Sequence, residues 1–296
     1  MDGVINFFKP KGMTSHDAVS FLRRTLKTRR IGHSGTLDPD ASGVLPLCVE
    51  RGTRIAEYLL DIDKEYIGEL TLGLQTDTQD YSGKVINSSN KTVTEEEIKN
   101  VMSKYTGDIA QLPPMYSALK HNGKKLYELA REGKTVEREP RNITIYEQKI
   151  LSIVDNNKIL FHTKCSKGTY IRTLCDDIGR ELGTHGYMSY LMRVGVGSFK
   201  IENSYSMDYI QSLGPEEISK IITPMDQALD HFEELIVPES LYPKLVNGVK
   251  LPIIDNSEYG VDGLFRVYCK GEFIGVGKII TKDFERYLKM NKVLII

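Results

Sequence analysis

The chain has 296 residues, 39 Lys+Arg against 40 Asp+Glu, 40% apolar residues, 27% charged residues and no Trp. That composition excludes intrinsically disordered and collagen-like classes, and the length fits about two domains. No apolar run reaches the roughly 18 residues a membrane span needs. The N-terminal MDGVINFFKPKGMTS lacks the apolar stretch and cleavage site of a secretory leader, so a cytoplasmic protein is expected. Cys48, Cys165, Cys175 and Cys269 form no C-x-x-C pair and have no His at zinc spacing. They read as reduced core thiols.

The elements follow in chain order. Residues 4–8 (VINFF) predict a short buried strand, and KPKGMTS a loop. Thr14 with Asp17 forms a capping box opening a helix to about Lys27, with Ala18, Phe21, Leu22 and Leu26 inward. Residues 29–43 hold three Gly, one Pro, a His, two Asp and two Arg, and predict a long loop. Residues 53–61 predict a helix and 66–74 a strand, followed by the polar loop TDTQDYSG. Thr94 caps a helix whose first turn, Glu95-Glu96-Glu97, suits the helix dipole. Residues 143–153 and 158–164 predict two strands joined at Asn156-Asn157. A helix is expected over 124–131, another over 170–182, a strand over 188–197, and helical segments at 215–222 and 224–230. After Val237-Pro238 come short strands flanking Lys270-Gly271, a hairpin turn. Strands mixed with helices, without a regular βαβ repeat, predict an α+β domain followed by a small β domain at 236–296.

The near-zero net charge hides an uneven distribution. Residues 101–200 carry 16 basic and 10 acidic side chains, and residues 201–250 carry 3 and 9. A polyanion feels the field within about 8 Å rather than the total. On its own this asymmetry only permits a nucleic-acid partner. Residues 113–142 add seven Lys/Arg against four Glu, with Tyr116 and Tyr127 between them. Basic side chains can follow phosphates while aromatics stack on bases. Cofactor motifs find no match. Gly133-Lys134-Thr135 ends like a phosphate loop, but Glu128 stands where its first Gly belongs. Gly195-Val196-Gly197 lacks the third Gly of a dinucleotide fingerprint.

Five segments occur in one order over about 200 residues: KPKGMTS (9–15), GHSGTLDPDASGVLPL (32–47), Lys64-Glu65-Tyr66 with LGLQTDTQDYSG, PPMYSALKHNGKKLYELAREG (113–133) and CSKGTYIRTLCDDIGRELG (165–183). Together they resemble the TruB-type tRNA pseudouridine synthases. The resemblance implies a catalytic domain with a mixed, mainly antiparallel sheet and flanking helices over 1–235. It implies an RNA-gripping insertion at about 110–142 and a small β-barrel-like PUA module over 236–296. It also implies isomerisation of uridine 55 in the tRNA T-loop, without cofactor or metal, by a monomer with no obligate protein partner.

Carried across by motif, the resemblance makes Asp38 the nucleophile, places Tyr66 on the target base and pairs Arg172 with Asp38, beside Tyr170. Leu191 lines the base pocket. His33 enters the T-loop in place of flipped bases, and Arg54 stands where some members have Lys. The residue types suit the chemistry: a carboxylate can act without a metal, and a flipped uridine needs an apolar slot with an aromatic face. Attack at C6 of the base and attack at C1′ of the ribose both fit, and Tyr66 also suits proton transfer. Without the resemblance, Arg172 reads equally as an i,i+4 partner of Asp176. Two other classes share the same surface: a tRNA-binding or tRNA-folding protein, and a synthase with a different RNA target.

Overall fold

A computed structural model describes residues 2–252, 263–282 and 285–295. Its main body is built on one ten-stranded sheet. The strands run in the order Ile222–Thr223, Gly3–Lys9, Ser42–Val49, Gly186–Val196, Lys64–Leu72, Lys158–Cys165, Arg141–Val154 and Gly107–Gln111. Ile31–His33 adds to Ser42–Val49, and Phe199–Lys200 to Gly186–Val196. One step in this sheet is parallel, between Gly186–Val196 and Ser42–Val49; the others are antiparallel. The expected α+β class with a mixed, mainly antiparallel sheet is borne out.

Helices cover the sheet where the sequence supplies caps and an apolar stripe. Thr14 Oγ1 accepts from the Asp17 backbone N–H at 3.0 Å, and Asp17 Oδ2 accepts from Thr14 N–H at 3.0 Å. The reciprocal box opens the helix Ser15–Thr25, which buries Ala18, Val19, Phe21 and Leu22. Thr94 and Glu97 repeat the arrangement at the helix Glu95–Ser103. Caps of this kind contribute about 1 kcal/mol each. Helix Ile171–Glu181 has no side-chain cap. It is held by its buried face, with Leu174, Cys175 and Ile178 all fully covered.

Several boundaries differ from the sequence expectation. Residues 29–43 are not loop throughout: Ile31–His33 and Ser42–Gly43 are strand, leaving 34–41 as the irregular part. Residues 53–61 divide into a 3-10 turn, Glu50–Ile55, and a short helix, Ala56–Leu60. The helix expected from 124 begins at Leu126, because Lys124–Lys125 pair with Lys120–His121. The hairpin between Arg141–Val154 and Lys158–Cys165 turns at Asp155-Asn156, both at φ near 50°, rather than at Asn156-Asn157. Short polar side chains tolerate that left-handed conformation. A helix at Met207–Ser212 carried too little periodicity to be read.

The tail forms a second, five-stranded sheet in the order Glu233–Val237, Leu264–Cys269, Glu272–Lys282, Glu285–Val293 and Leu251–Pro252. Lys270 and Gly271 lie at φ 56° and 75°, as the expected hairpin turn requires. The tail does not stand apart. Val276 and Leu294 join a core made with Val4, Val44, Ile55, Tyr58 and Leu59. All four cysteines are buried free thiols. Among the described residues no helix is long and apolar enough to cross a membrane.

Candidate active site

The single parallel step organises the site. It sets Arg193 opposite Gly43, and the antiparallel pairing on the other side of the same strand sets Arg193 opposite Tyr66. Residues of one strand alternate faces, so Leu191, Arg193 and Tyr66 share a face. Gly43 is needed there: it sits at φ 114°, and a Cβ would come within 2.1 Å of the Arg193 carbonyl oxygen. The 34–41 loop enters at the N-terminal end of Ser42–Val49 and lies over this face. Leu37 and Ala41 pack in the same core as Tyr66, Ile171 and Leu191.

The loop is fastened from four directions. Ser15 Oγ donates to the Leu37 carbonyl at 3.1 Å and accepts from its N–H at 2.9 Å. Lys9 Nζ donates to the carbonyls of Pro10, Met13 and Pro39. Ser34 N–H donates to the Pro46 carbonyl at 3.1 Å. Arg193 Nε donates to the Val44 carbonyl at 2.7 Å and Nη1 to that of Thr36 at 3.4 Å. Each bond to a charged donor contributes more than a neutral one. Asp38 is thereby presented at the loop's crest.

There Arg172 Nη2 lies 3.1 Å from Asp38 Oδ2. The Arg172 side chain is 10% exposed and that of Asp38 37%. The cation is buried and the carboxylate opens outward. Arg172 Nη1 also lies 3.6 Å from Asp80 Oδ2. Asp80 is held by Thr78 Oγ1 at 2.7 Å and Ser82 Oγ at 2.6 Å. The alternative partner, Asp176, binds elsewhere: it accepts from Gln75 Nε2 at 2.9 Å and pairs with Arg180.

Tyr66 is 9% exposed, and burial pushes its phenol up to about 12 while the Arg193 guanidinium beside it pulls the other way. Leu191 is 8% exposed on the neighbouring strand. The Tyr170 ring lies 6.0 Å from the Arg172 guanidinium. Its backbone is clamped by Gln111, whose Oε1 accepts from Tyr170 N–H at 2.8 Å while Nε2 donates to its carbonyl at 3.1 Å. His33, half-buried at the loop's entrance, has its pKa lowered by burial and then by Arg193. Arg54 is not part of this cluster as the cluster's contacts define it. It is exposed on the 3-10 turn, and its carbonyl accepts from Lys292 Nζ of the tail at 2.7 Å.

Asp38, Tyr66, Arg172, Tyr170 and Leu191 therefore converge. Lys9, Asp80, Gln111 and Arg193 belong to the same construction and carry no sequence label of their own. Lys9 lies in KPKGMTS and Asp80 in LGLQTDTQDYSG, so two of the four sit in the segments singled out above. Three cations are buried in this region: Lys9 at 0%, Arg193 at 1% and Lys64 at 8% exposure. Burial and the Arg193 charge bring Lys9 and Lys64 down to about 8. Among the described residues no group of three or more His, Cys, Asp or Glu is placed to hold a metal ion.

An aromatic, an aliphatic side chain and an open carboxylate paired with a buried arginine thus meet on one mixed sheet that is followed by a small β module. Residues 23–171 match the N-terminal domain of the TruB family pseudouridylate synthases, and residues 172–230 the tRNA pseudouridylate synthase B C-terminal domain. A tRNA pseudouridine synthase B from Alkaliphilus oremlandii is 41% identical over 99% of both chains, and one from Clostridium kluyveri 44% identical over 100% of both. A chain of a solved H/ACA RNP bound to a substrate RNA containing 2′-deoxyuridine superposes with a TM-score of 0.76 at 26% identity. It covers 99% of this chain and 85% of its own. The chain belongs to the TruB family. It is an isomerase of the tRNA pseudouridine synthase type, with RNA as its partner.

Proposed function

We propose that the protein converts uridine 55 in the T-loop of tRNA to pseudouridine, with Asp38 as nucleophile. The observation that carries this reading is the Arg172–Asp38 pair: the carboxylate faces outward while its counter-ion is buried behind it. The uridine leaves the stack and enters the slot between Tyr66 and Leu191. Flipping costs a few kcal/mol, offset by stacking on the aromatic face and by contacts to the unpaired loop. His33 fills the space left in the T-loop. The reaction breaks the C1′–N1 bond, forms C1′–C5, moves a proton off C5 and puts one on N1. Asp38 attacks and later leaves, and Arg172 fixes which oxygen it presents. Tyr66 closes the slot and serves the proton transfer. No cofactor enters this scheme.

The insertion at about 110–142 supplies phosphate contacts. Its Tyr127 ring is flanked by Lys125 Nζ and Arg131, each 5.4 Å from the ring centre. The division into a catalytic unit over 1–235 and an RNA-binding tail over 236–296 belongs to the same proposal, the tail reaching the acceptor end of the tRNA. The protein acts as a monomer. The test is incubation with unmodified tRNA transcript, followed by chemical derivatisation to map pseudouridine. Modification at position 55 and nowhere else is the expected result. Binding without modification supports a tRNA-binding or folding protein instead, and modification of another RNA only supports a different target.

A further inference from the structure

Arg193 is the largest side chain of the described residues to be almost wholly buried, at 1% exposure. Its Nε and Nη1 are used on the carbonyls of Val44 and Thr36. Its Nη2 is buried with no hydrogen-bond partner. No carboxylate among the described residues lies within ion-pair distance of it, and the nearest charged company includes two more buried cations, Lys9 and Lys64. A buried guanidinium without a counter-ion is costly. If the site required only two carbonyls to be held, a neutral amide would hold them at less cost. The strand register sets Arg193 directly across from Tyr66, with both side chains on the same face.

We propose that Arg193 is a positioning residue acting through Tyr66: it ties down both flanks of the Asp38 loop and holds positive charge against the phenol, so that the Tyr66 oxygen can receive the proton leaving C5. The inference rests on the reading of Tyr66 as the proton-transfer group. In that step C5–H breaks and its proton passes to the phenolate oxygen. N1 takes a proton from water, and the phenol then returns its own to solvent. Atoms and charge balance, with nothing oxidised or reduced. The guanidinium stabilises the phenolate, which is the accepting form.

The groups that face Tyr66 from the packed elements are few. Arg193 comes from Gly186–Val196, the Cys165 thiol from Lys158–Cys165, and the Asp38 carboxylate from the loop. Lys64 lies two residues earlier on its own strand. Burial, Cys165 and Asp38 all disfavour the phenolate; Arg193 opposes them. Lys9 and Lys64 are themselves partly discharged by the same burial, whereas a guanidinium keeps its charge at any working pH. That explains why an arginine occupies this place.

The test uses the full-length protein with a single fluorotyrosine at position 66, whose ¹⁹F shift is followed against pH in the parent, Arg193→Lys and Arg193→Gln. Fluorination lowers the phenol's titration into a range the protein tolerates. Arg193→Gln is expected to raise the midpoint by about one unit or more and to slow single-turnover pseudouridine formation more than tenfold, with tRNA binding unchanged. Arg193→Lys keeps a charge but draws it back from the phenol, and its midpoint should fall between the two. A folded Arg193→Gln that titrates at the parent midpoint overturns the proposal. If Arg193→Gln does not fold, Arg193→Lys decides: a parent midpoint overturns, a raised one supports. A merely structural Arg193 would change rate and stability without moving the titration of Tyr66. A parent protein that makes no pseudouridine in tRNA would overturn the functional reading instead, and the titration would still report whether the guanidinium acts on the phenol.

Discussion

Asp80 lies 3.6 Å from Arg172 at Nη1, while Nη2 of the same guanidinium is on Asp38. One buried arginine therefore serves two carboxylates, each at its own amino group. Asp80 is itself fixed by Thr78 and by the Ser82 hydroxyl and backbone N–H. The chain from the 77–82 loop to the Asp38 loop is thus continuous, and it sets the direction in which the Asp38 carboxylate points.

Asp38→Asn keeps shape and most hydrogen bonding but removes the nucleophilic charge. No pseudouridine should be detected in single-turnover assays with tRNA. Binding, measured by filter retention, should stay near the parent value because it rests mainly on phosphate contacts. Turnover above a trace would remove Asp38 from the nucleophile's role.

Arg172→Lys retains a positive charge and loses the fork. One ammonium cannot occupy the positions of two separate amino groups. The single-turnover rate should fall by about 10²-fold or more, the scale of losing a fixed donor in an active site, about 3 kcal/mol. Tm should change little. A variant as active as the parent would make Arg172 a structural helix residue.

Asp80→Asn leaves Arg172 with one charged partner. The rate should drop about tenfold, roughly 1.4 kcal/mol, with Kd for tRNA unchanged. Combining it with Arg172→Lys should cost less than the sum of the two, since both act on the same carboxylate. Strict additivity in that double-mutant cycle would separate Asp80 from the Asp38–Arg172 pair.

Much of this site is legible in the sequence, and the reason is local. Asp38, Tyr66 and Arg172 lie in segments whose residue order is distinctive, and the capping boxes at Thr14 and Thr94 need only four residues each to be seen. What escapes depends on distant pairings. The strand Ser42–Val49 is covered on both faces, so it shows no alternation, and Pro46 disguises it further. Nothing in the sequence singles out Arg193; only the strand pairings place it between Gly43 and Tyr66. Gln111 gains its meaning only by clamping Tyr170, 59 residues away. Arg172 offered two partners in the sequence, and only folding shows that Asp176 is already taken.

Lys64 gives a pH dependence with a definite sign. Its folded pKa is lowered to about 8, against 10.5 for an exposed lysine. Between those values the unfolded chain holds the proton and the folded one releases it, so Lys64 adds stability as pH rises through that window. Its share is at most about 2 kcal/mol near pH 9.5. Burial raises the Cys48 and Cys165 thiols to about 12, and these remove stability over the same range. The parent's own profile mixes both signs. The informative quantity is the difference between parent and Lys64→Met in urea unfolding from pH 7.5 to 9.5. The parent should gain on the variant as pH rises; parallel curves would mean that Lys64 is not depressed.

The tail tests how the two sheets depend on each other. A cut at 235/236 falls inside the strand Glu233–Val237, so a clean removal must start earlier, after Asp230. Even then it exposes a shared core: Val276 and Leu294 pack with Ile55, Tyr58 and Leu59, and Asn291 donates to the Tyr58 hydroxyl at 2.8 Å. Lys292 also bridges Glu57 at 2.6 Å and the Arg54 carbonyl. Each apolar side chain uncovered costs about 1.5–3 kcal/mol, so several kcal/mol of stability should be lost and Tm should fall markedly. The chemistry should survive. Asp38, Tyr66, Arg172 and Leu191 stand before residue 197, and their supports, Lys9, Asp80, Gln111 and Arg193, do too. Below the new Tm, kcat on an isolated T-arm stem-loop should stay within a few-fold of the parent, while KM for full tRNA rises. The tail has only 7 basic against 6 acidic residues over 251–296, which limits its share of the phosphate grip. A truncated protein that is folded by calorimetry yet has lost kcat on the stem-loop would show that the tail shapes the site through the Arg54 turn, and the proposed division of the chain would be wrong.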